Sequence, residues 1–564
     1  MAPHSHVDIE STNGSTDGVM AEQPYNVPDT VLFHTRNRKL KVITIGTGVS
    51  GIMMAYHAQK DLQNVDFVMY EMNHDIGGTW PDWSQFFSSA QEIWSYLDRV
   101  VTTFNLRQYM KFSTEVLEAR WSETSSKWIV KLRETGSNGS TRDFTDECDV
   151  LLQAAGVLNK FKWPEIEGIE KFKGKMIHTA RWPDNYQKEE WAKDRVAVIG
   201  SGASSIQTVP SMQPYVRSID VFVRTPVWFV EVGGNNGRNI EYTSEQKATF
   251  RRSPKELVSH AKSLEDKVNL GFDIFRRGSA VQQQALDHYI KRTASKINNP
   301  ALAAGMTPKW SVGCRRVTPG DPYMSSIQEP NVSVHFAEVT KITETSIIGG
   351  NGASKEVDTI ICATGFDTSF RPSFPIVGRD GVDLAKKWAT QPEAYLGMAV
   401  PDMPNFFTFI GPSWPIGNGS VMGPLEAVGC YVVKFIKKMQ NEQIASFVPR
   451  QEVTDAFNVH VQEFMKSTVW MDDCRSWYKD PKTNRVNALW PGESLHYIET
   501  IEQPRFEDFE FRYQNNNPWA YLGNGTALAR AFGGDTSPYM ALDRIDEKWL
   551  RETEQDVKNR YVGM

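Results

Sequence analysis

Three glycines, Gly46, Gly48 and Gly51, follow an apolar run over residues 42–45 and open an apolar-rich stretch, residues 52–62. This spacing suits a strand–turn–helix that receives a pyrophosphate. Gly46 makes the tight turn, Gly48 lets the phosphates approach the backbone, and Gly51 lets helix and strand pack closely. Ser50 lies in the same turn, where the free N–H groups and partial positive charge of a helix start favour an anion. A second strand, residues 66–70, ends on Glu71, 25 residues after Gly46, where a carboxylate can accept hydrogen bonds from a ribose diol. The pattern returns 154 residues later. A strand at residues 195–199 leads into Gly200, Ser201, Gly202, Ala203 and Ser204, then a helix to about Met212 and a strand at 219–223. This copy ends on Arg224. An acid at the strand tip suits ribose hydroxyls, whereas an arginine there can clamp a 2′-phosphate. The first unit therefore suits FAD and the second NADP. Ser205 replaces the third glycine and should loosen helix–strand packing slightly.

These units need parallel sheets to hold them. The spacing of Ile93, Tyr96, Leu97, Val100, Val101 and Phe104 predicts a helix, and residues 116–121 and 127–133 alternate as a hairpin does. Residues 149–156 and 357–365 read as buried strands with glycine ends, a pair that suggests crossovers between two domains. The fold class expected is α/β, with two Rossmann-like dinucleotide-binding domains. The NADP domain is inserted into a discontinuous FAD domain and carries a helical insertion. By residue, 1–36 form a mobile arm, 37–165 the first part of the FAD domain, and 166–354 the NADP domain with helices at about 245–305. Residues 355–564 complete the FAD domain and the C-terminal region, with helices near 426–440 and 450–467 and a charged one at 541–560.

The bulk numbers exclude several classes. A chain of 564 residues, 40% hydrophobic and 23% charged, is ordinary for a globular protein of more than one domain. The net charge of -6 and scattered basic doublets argue against a nucleic-acid partner. No run is long and apolar enough to span a membrane, and the first residues do not read as a secretory leader. The five cysteines are far apart and lack C-x-x-C spacing, so neither a metal site nor a disulfide framework is expected, and the location reads as cytoplasmic. Trp414, Trp470 and Trp490 are candidates for an apolar pocket wall.

Between the two units, Phe172, Gly174, His178, Trp182 and Pro183 fill every specified place of F-x-G-x-x-x-H-x-x-x-W-P. This resembles the fingerprint of the flavin-containing Baeyer–Villiger monooxygenases; relatives that oxidise nitrogen or sulfur usually carry another aromatic where Trp182 stands. The likeness runs from about residue 39 to 527. It includes Gly77-Gly78-Thr79-Trp80, Gly313-Cys314-Arg315-Arg316, residues 363–365, Phe409-Ile410-Gly411-Pro412, the block at 474–479 and Trp490-Pro491-Gly492. The last blocks look most like fungal members acting on polyketide, steroid or terpenoid ketones in secondary metabolism.

The resemblance implies that NADPH reduces FAD and that one atom of O2 is inserted beside a ketone carbonyl, giving an ester or lactone. It makes Arg316 the catalytic cation, Arg315 a partner for the NADP 2′-phosphate, Gly78, Thr79 and Trp80 flavin contacts, and His178 a coupler of domain motions. A fixed cation is what developing negative charge in a water-poor pocket requires, and arginine stays protonated at any working pH. The chain departs from the family after Trp80. About two dozen residues are missing there, among them an aspartate that orients the catalytic arginine, and Trp80 runs directly into Pro81-Asp82-Trp83. Heteroatom oxidation, an uncoupled NADPH oxidase and a non-enzymatic cofactor-binding homologue are the alternatives.

Overall fold

In the computed structural model, residues 25–76, 85–86, 88–231, 239–546 and 554–562 are described. They belong to two compact units, Thr35–Gln514 and a smaller one drawn from Met1–His34 and Asn515–Met564.

The larger unit contains two five-stranded parallel sheets. The first has the order Phe406–Thr408, Val150–Gln153, Leu40–Ile45, Val65–Tyr70, Met110–Lys111. Its central strand is buried at five of six positions, as a strand covered on both faces must be. The second runs Val332–His335, Ser218–Phe222, Arg195–Ile199, Thr359–Cys362, Lys175–His178. Phe406–Thr408 rejoins the first sheet only after every strand of the second has been laid down. The second domain is therefore an insertion into the first.

The expected hairpin is present. Thr114–Ser122, Lys127–Thr135 and Thr141–Cys148 pair antiparallel, and Ile376–Val377 adds a parallel edge. The helical insertion comprises Ser244–Arg252, Pro254–Asn269, Ala280–Lys296 and Pro300–Met306. Their starts follow from local chemistry: Thr243, Ser253, Ser279 and Asn299 each accept a backbone N–H from the first turn. Proline opens two of the four, where its missing N–H costs nothing. No helix among the described residues is long and apolar enough to cross a membrane.

Four expectations need correction. Thr359–Cys362 hydrogen-bonds inside the second sheet, so the boundary at 354 cuts that sheet. A short buried strand carries no mark of which parallel sheet it will join. Residues 1–24 lie outside the described residues, but the end of the proposed arm is bonded within the smaller unit. There Leu32 N–H donates to Thr526 O at 3.2 Å and Phe33 N–H to Tyr521 O at 2.9 Å. The stretch 541–560 is broken: a 3-10 turn at Leu542–Arg544 and a helix at Glu554–Tyr561 are separated by residues mostly outside the described set. Trp414, Trp470 and Trp490 are all buried in one core cluster with Phe275, Tyr497 and neighbours. Large aromatics contribute most to a core by sheer buried area, and these three do so instead of lining a pocket.

Candidate functional site

The first cradle is built by Leu40–Ile45, the helix Val49–Asp61 and Val65–Tyr70. Gly46 turns with φ +103°, and a Cβ there would lie 2.7 Å from Ala154 O. At Gly51 a Cβ would overlap Gly46 O and meet Met69 Sδ at 3.2 Å, so only glycine lets the helix sit on its strand. Gly48 is the N-cap and brings no side chain to the first N–H groups, which stay available to an anion. Ser50 is buried in the first turn. Glu71 stands where its count from Gly46 placed it. One carboxylate oxygen accepts from Thr47 N–H at 3.1 Å and Thr47 Oγ1–H at 3.2 Å; the other accepts from Asn73 N–H at 2.9 Å. The carboxylate is thereby fixed against the glycine turn, as recognition of a ribose at that turn requires.

Beyond the C-terminal ends of this sheet lies a cavity lined by Gln153, Gly156, Asn159, Thr408, Ile410 and Gly411, among others. Ligands of open parallel sheets bind in that position. Gln153 Oε1 is buried there without a hydrogen-bond partner, an acceptor left for a ligand donor. Ile410 holds φ +57°, a costly conformation for a β-branched residue, at the rim of the same cavity. The turn, the fixed acid and the orphaned acceptor together fit a flavin dinucleotide. Gly78, Thr79 and Trp80 lie outside the described residues.

The second cradle repeats the first with other tips. Gly200 has φ +117°, and a Cβ there would lie 2.5 Å from Ala363 O. Gly202 caps the helix Ala203–Met212, and a Cβ there would meet nothing within 4 Å, which leaves room for a phosphate. Ser204 follows Ala203 in the first turn, and Ser205 is fully buried beside the strands, so the loss of the third glycine leaves the helix seated.

Arg224 stands exposed past the end of Ser218–Phe222. Arg315 comes to the same corner from a distant loop, its Nη1 donating to Thr225 O at 3.3 Å and Pro226 O at 3.2 Å. Burial, and then the neighbouring Arg224 charge, push its guanidinium down to about 10. Among the described residues no carboxylate pairs with Arg224, Arg315 or Arg316. Two like charges held together without a counter-ion form a site for an anion.

Arg316 is exposed and lies beside Tyr478, whose fully buried phenol is pushed up by burial and pulled down by the arginine. Sequence reasoning missed what holds this pair in place. Cys314 and Cys474 form a disulfide with Cα atoms 6.4 Å apart, which corrects the expectation that no cysteines pair. The signal was available: each cysteine sits inside one of the two blocks, 313–316 and 474–479, that carry the likeness. Lacking C-x-x-C spacing, they gave no local sign of a pairing across 160 residues.

The fingerprint residues organise the passage between sheets. Gly174 lies where a Cβ would strike Asp358 O and the Phe172 ring. His178 ends Lys175–His178 and is 1% exposed. Its Nδ1 accepts Ala180 N–H at 3.1 Å, its Nε2 lies 3.3 Å from Thr364 Oγ1, and its ring meets Phe161 at 4.6 Å. The outgoing and returning crossovers are paired beside it: Asp367 N–H donates to Lys160 O at 2.7 Å and Thr364 Oγ1–H to Lys162 O at 3.1 Å. Trp182 anchors the next turn, its Nε1–H donating to Tyr186 O at 2.8 Å.

Comparison with known proteins agrees with this geometry. A family model described as flavin-binding monooxygenase-like matches residues 81–249, and one for an NAD(P)-binding Rossmann-like domain matches residues 44–114. The chain is 52% identical to the FAD-binding monooxygenase moxY of Dothistroma septosporum, over 97% of this chain and 91% of the relative. It is 52% identical to the FAD-binding monooxygenase stcW of Emericella nidulans, over 95% and 94%. It is 31% identical to a Baeyer–Villiger monooxygenase of Pseudomonas aeruginosa, over 86% and 94%. The alignment with moxY has 576 positions, and this chain fills 97% of its own 564 residues in it. About thirty positions are therefore occupied by the relative alone. In fold, the chain matches the crystal structure of OTEMO in complex with FAD and NADP, with a TM-score of 0.72 at 23% identity over 84% of this chain and 99% of the other. A cyclohexanone monooxygenase from Rhodococcus bound to NADP+ matches with a TM-score of 0.70, at the same identity and coverage.

Proposed function

The chain belongs to the FAD-binding monooxygenases of Baeyer–Villiger type, and on that premise we propose that it uses FAD and NADPH to insert one atom of O2 beside the carbonyl of an apolar ketone. The product is an ester or lactone, and the setting is fungal secondary metabolism in the cytoplasm, where NADPH is regenerated. The observation that carries the reading is the pair of glycine cradles with opposite tips, Glu71 at one and Arg224 with Arg315 at the other.

Bound FAD, reduced by NADPH, supplies an activation of O2 that no side chain can provide. The protein's own contribution is placement and charge. The N–H groups after Gly46 and Gly202 would hold the two pyrophosphates, and the Glu71 carboxylate would accept from a ribose hydroxyl. Arg224 and Arg315 would close on the 2′-phosphate, a counter-ion that no carboxylate among the described residues supplies. Arg316, beside Tyr478, would present its charge where negative charge grows on the substrate oxygens. His178 and the paired crossovers lie where the chain passes from one domain to the other.

Purification tests this directly. The protein should be yellow, NADPH should bleach it, NADH should do so far more slowly, and a ketone should be converted to ester or lactone. A preparation that holds FAD but is not reduced by NADPH would overturn the proposal.

A second reading has its own support. The roughly thirty positions missing relative to moxY, and the abrupt junction of Trp80 with Pro81, favour an oxidase that consumes NADPH and releases hydrogen peroxide. The ratio of peroxide to lactone decides between the two.

A further inference from the structure

Away from both cradles, the helix Val49–Asp61 and the helix Met422–Asn441 meet along one side. Each presents a chemically rich pair one turn apart, His57 with Asp61 and Glu426 with Cys430. They meet closely because Gly429 faces His57, and a Cβ there would stand 3.1 Å from His57 Cδ2. Glycine in mid-helix costs stability relative to alanine, so the close approach needs a reason of its own.

We infer that His57, Glu426 and Cys430 bind a divalent cation of zinc character. A ring nitrogen of His57, a carboxylate oxygen of Glu426 and the sulfur of Cys430 lie within 4.8 Å of one another. Bonds of about 2.0–2.3 Å in a tetrahedral site set ligand atoms roughly 3.5 Å apart. Closure therefore needs about an ångström of movement, which the exposed side chains of Glu426 and Cys430 can make.

A second observation points to a ligand. His57 is 5% exposed, and its Nδ1 lies 2.7 Å from Asp61 Oδ2. A histidine that binds metal usually donates its other N–H to a carboxylate, which fixes the tautomer and turns the free lone pair toward the ion. The Nε2 so presented is buried and makes no well-aligned hydrogen bond; Glu426 Oε1 stands 3.2 Å away, an ion pair when the ring is protonated, and a bound cation would take the place of that proton between the same two atoms. The nitrogen, oxygen and sulfur donor set matches zinc better than calcium or magnesium. Binding would displace the Cys430 thiol proton to solvent, and water would take the fourth position. Sequence spacing gave no hint of this, because His57 and Cys430 are 373 residues apart.

The test uses the FAD-loaded enzyme after treatment with chelator. Zinc chloride, followed by calorimetry and metal analysis, should bind at one equivalent per chain and raise the melting temperature. Cobalt chloride should give absorption bands in the red, clear of the flavin, together with thiolate character. Among the described residues Cys430 is the exposed free cysteine, and Cys148 and Cys362 are buried, so that signature belongs to Cys430. Cys430→Ser and Glu426→Gln lie on the surface and should each weaken zinc binding at least tenfold and abolish the zinc-dependent rise in melting temperature. Zinc binding that is undetectable, or unchanged in Cys430→Ser, overturns the inference. So does a loss of melting temperature in Glu426→Gln that is the same with and without zinc, which would leave only an ion-pair clamp between the helices.

Discussion

Arg315 shows how a charge can be held ready for a partner. Its guanidinium is half-buried, hydrogen-bonded only to carbonyl oxygens and pressed by Arg224, which is why it is pushed down to about 10. A depressed cation is worst tolerated while it is charged, so the empty corner is destabilised below about pH 10, and a bound phosphate relieves it. NADP+ affinity should therefore decline as pH rises through about 10 and the Arg315 charge is lost, whereas NAD+ affinity should change little over the same range. Titration of flavin or tryptophan fluorescence with each nucleotide checks this. Arg224→Ala removes a charge-assisted contact of about 1.5–3 kcal/mol, so the KM for NADPH should rise about 10- to 100-fold with kcat nearly unchanged. Arg316→Ala should leave flavin reduction intact and cut oxygenation by about 10²–10³, measured by comparing anaerobic bleaching with product formation. Glu71 and Arg224 could be counted from their glycine turns because a strand–turn–helix–strand has nearly fixed lengths. Arg315 could be placed beside Arg224 only through family likeness, since the loop that brings it there starts 91 residues further along the chain.

At the scale of elements, the controlling pieces are the two crossovers and the disulfide. His178 is buried among Phe161, Trp163 and Phe366, and burial lowers its tendency to protonate. Its folded pKa lies below the unfolded value of 6.5, so its contribution to stability is complete above that value and is lost as pH falls below it. Melting temperature should therefore drop as pH falls below 6.5, and His178→Gln should flatten that step while slowing flavin reduction. The link between Cys314 and Cys474 ties the loop of Arg316 to the block of Tyr478 across 160 residues. Opening it with Cys474→Ala should cost about 2–4 kcal/mol and lower oxygenation more than NADPH binding, read by denaturant melts and steady-state kinetics. Peptide mapping without reductant would show the linked pair directly. The strands, the hairpin and the inserted helices were visible in the sequence because period and capping are local properties. The sheet to which Thr359–Cys362 belongs was not, because parallel partners are chosen by packing over hundreds of residues.

For the whole molecule, the question is whether two intact cradles make a working oxygenase. Both sheets pair in unbroken parallel register, and the outgoing and returning chain segments are hydrogen-bonded to each other. The two glycine turns and their tips at Glu71, Arg224 and Arg315 are parts this chain retains. Oxygen insertion depends further on the orientation of Arg316, and the chain lacks about thirty positions that moxY of Dothistroma septosporum possesses. Loss of a group that fixes a catalytic cation leaves binding intact and loosens the geometry on which the reaction depends. The chain as it stands should therefore convert ketone to lactone with part of its NADPH lost as hydrogen peroxide. Grafting the corresponding relative's segment between Trp80 and Pro81 should raise the share of NADPH recovered as lactone, since a misplaced oxyanion donor slows oxygen insertion. FAD content and the KM for NADPH should stay constant across the graft, because Glu71, Arg224 and Arg315 are untouched. If the ungrafted chain already couples NADPH to lactone nearly one to one, Arg316 is adequately held by Tyr478 and the disulfide alone, and the missing segment serves some other end.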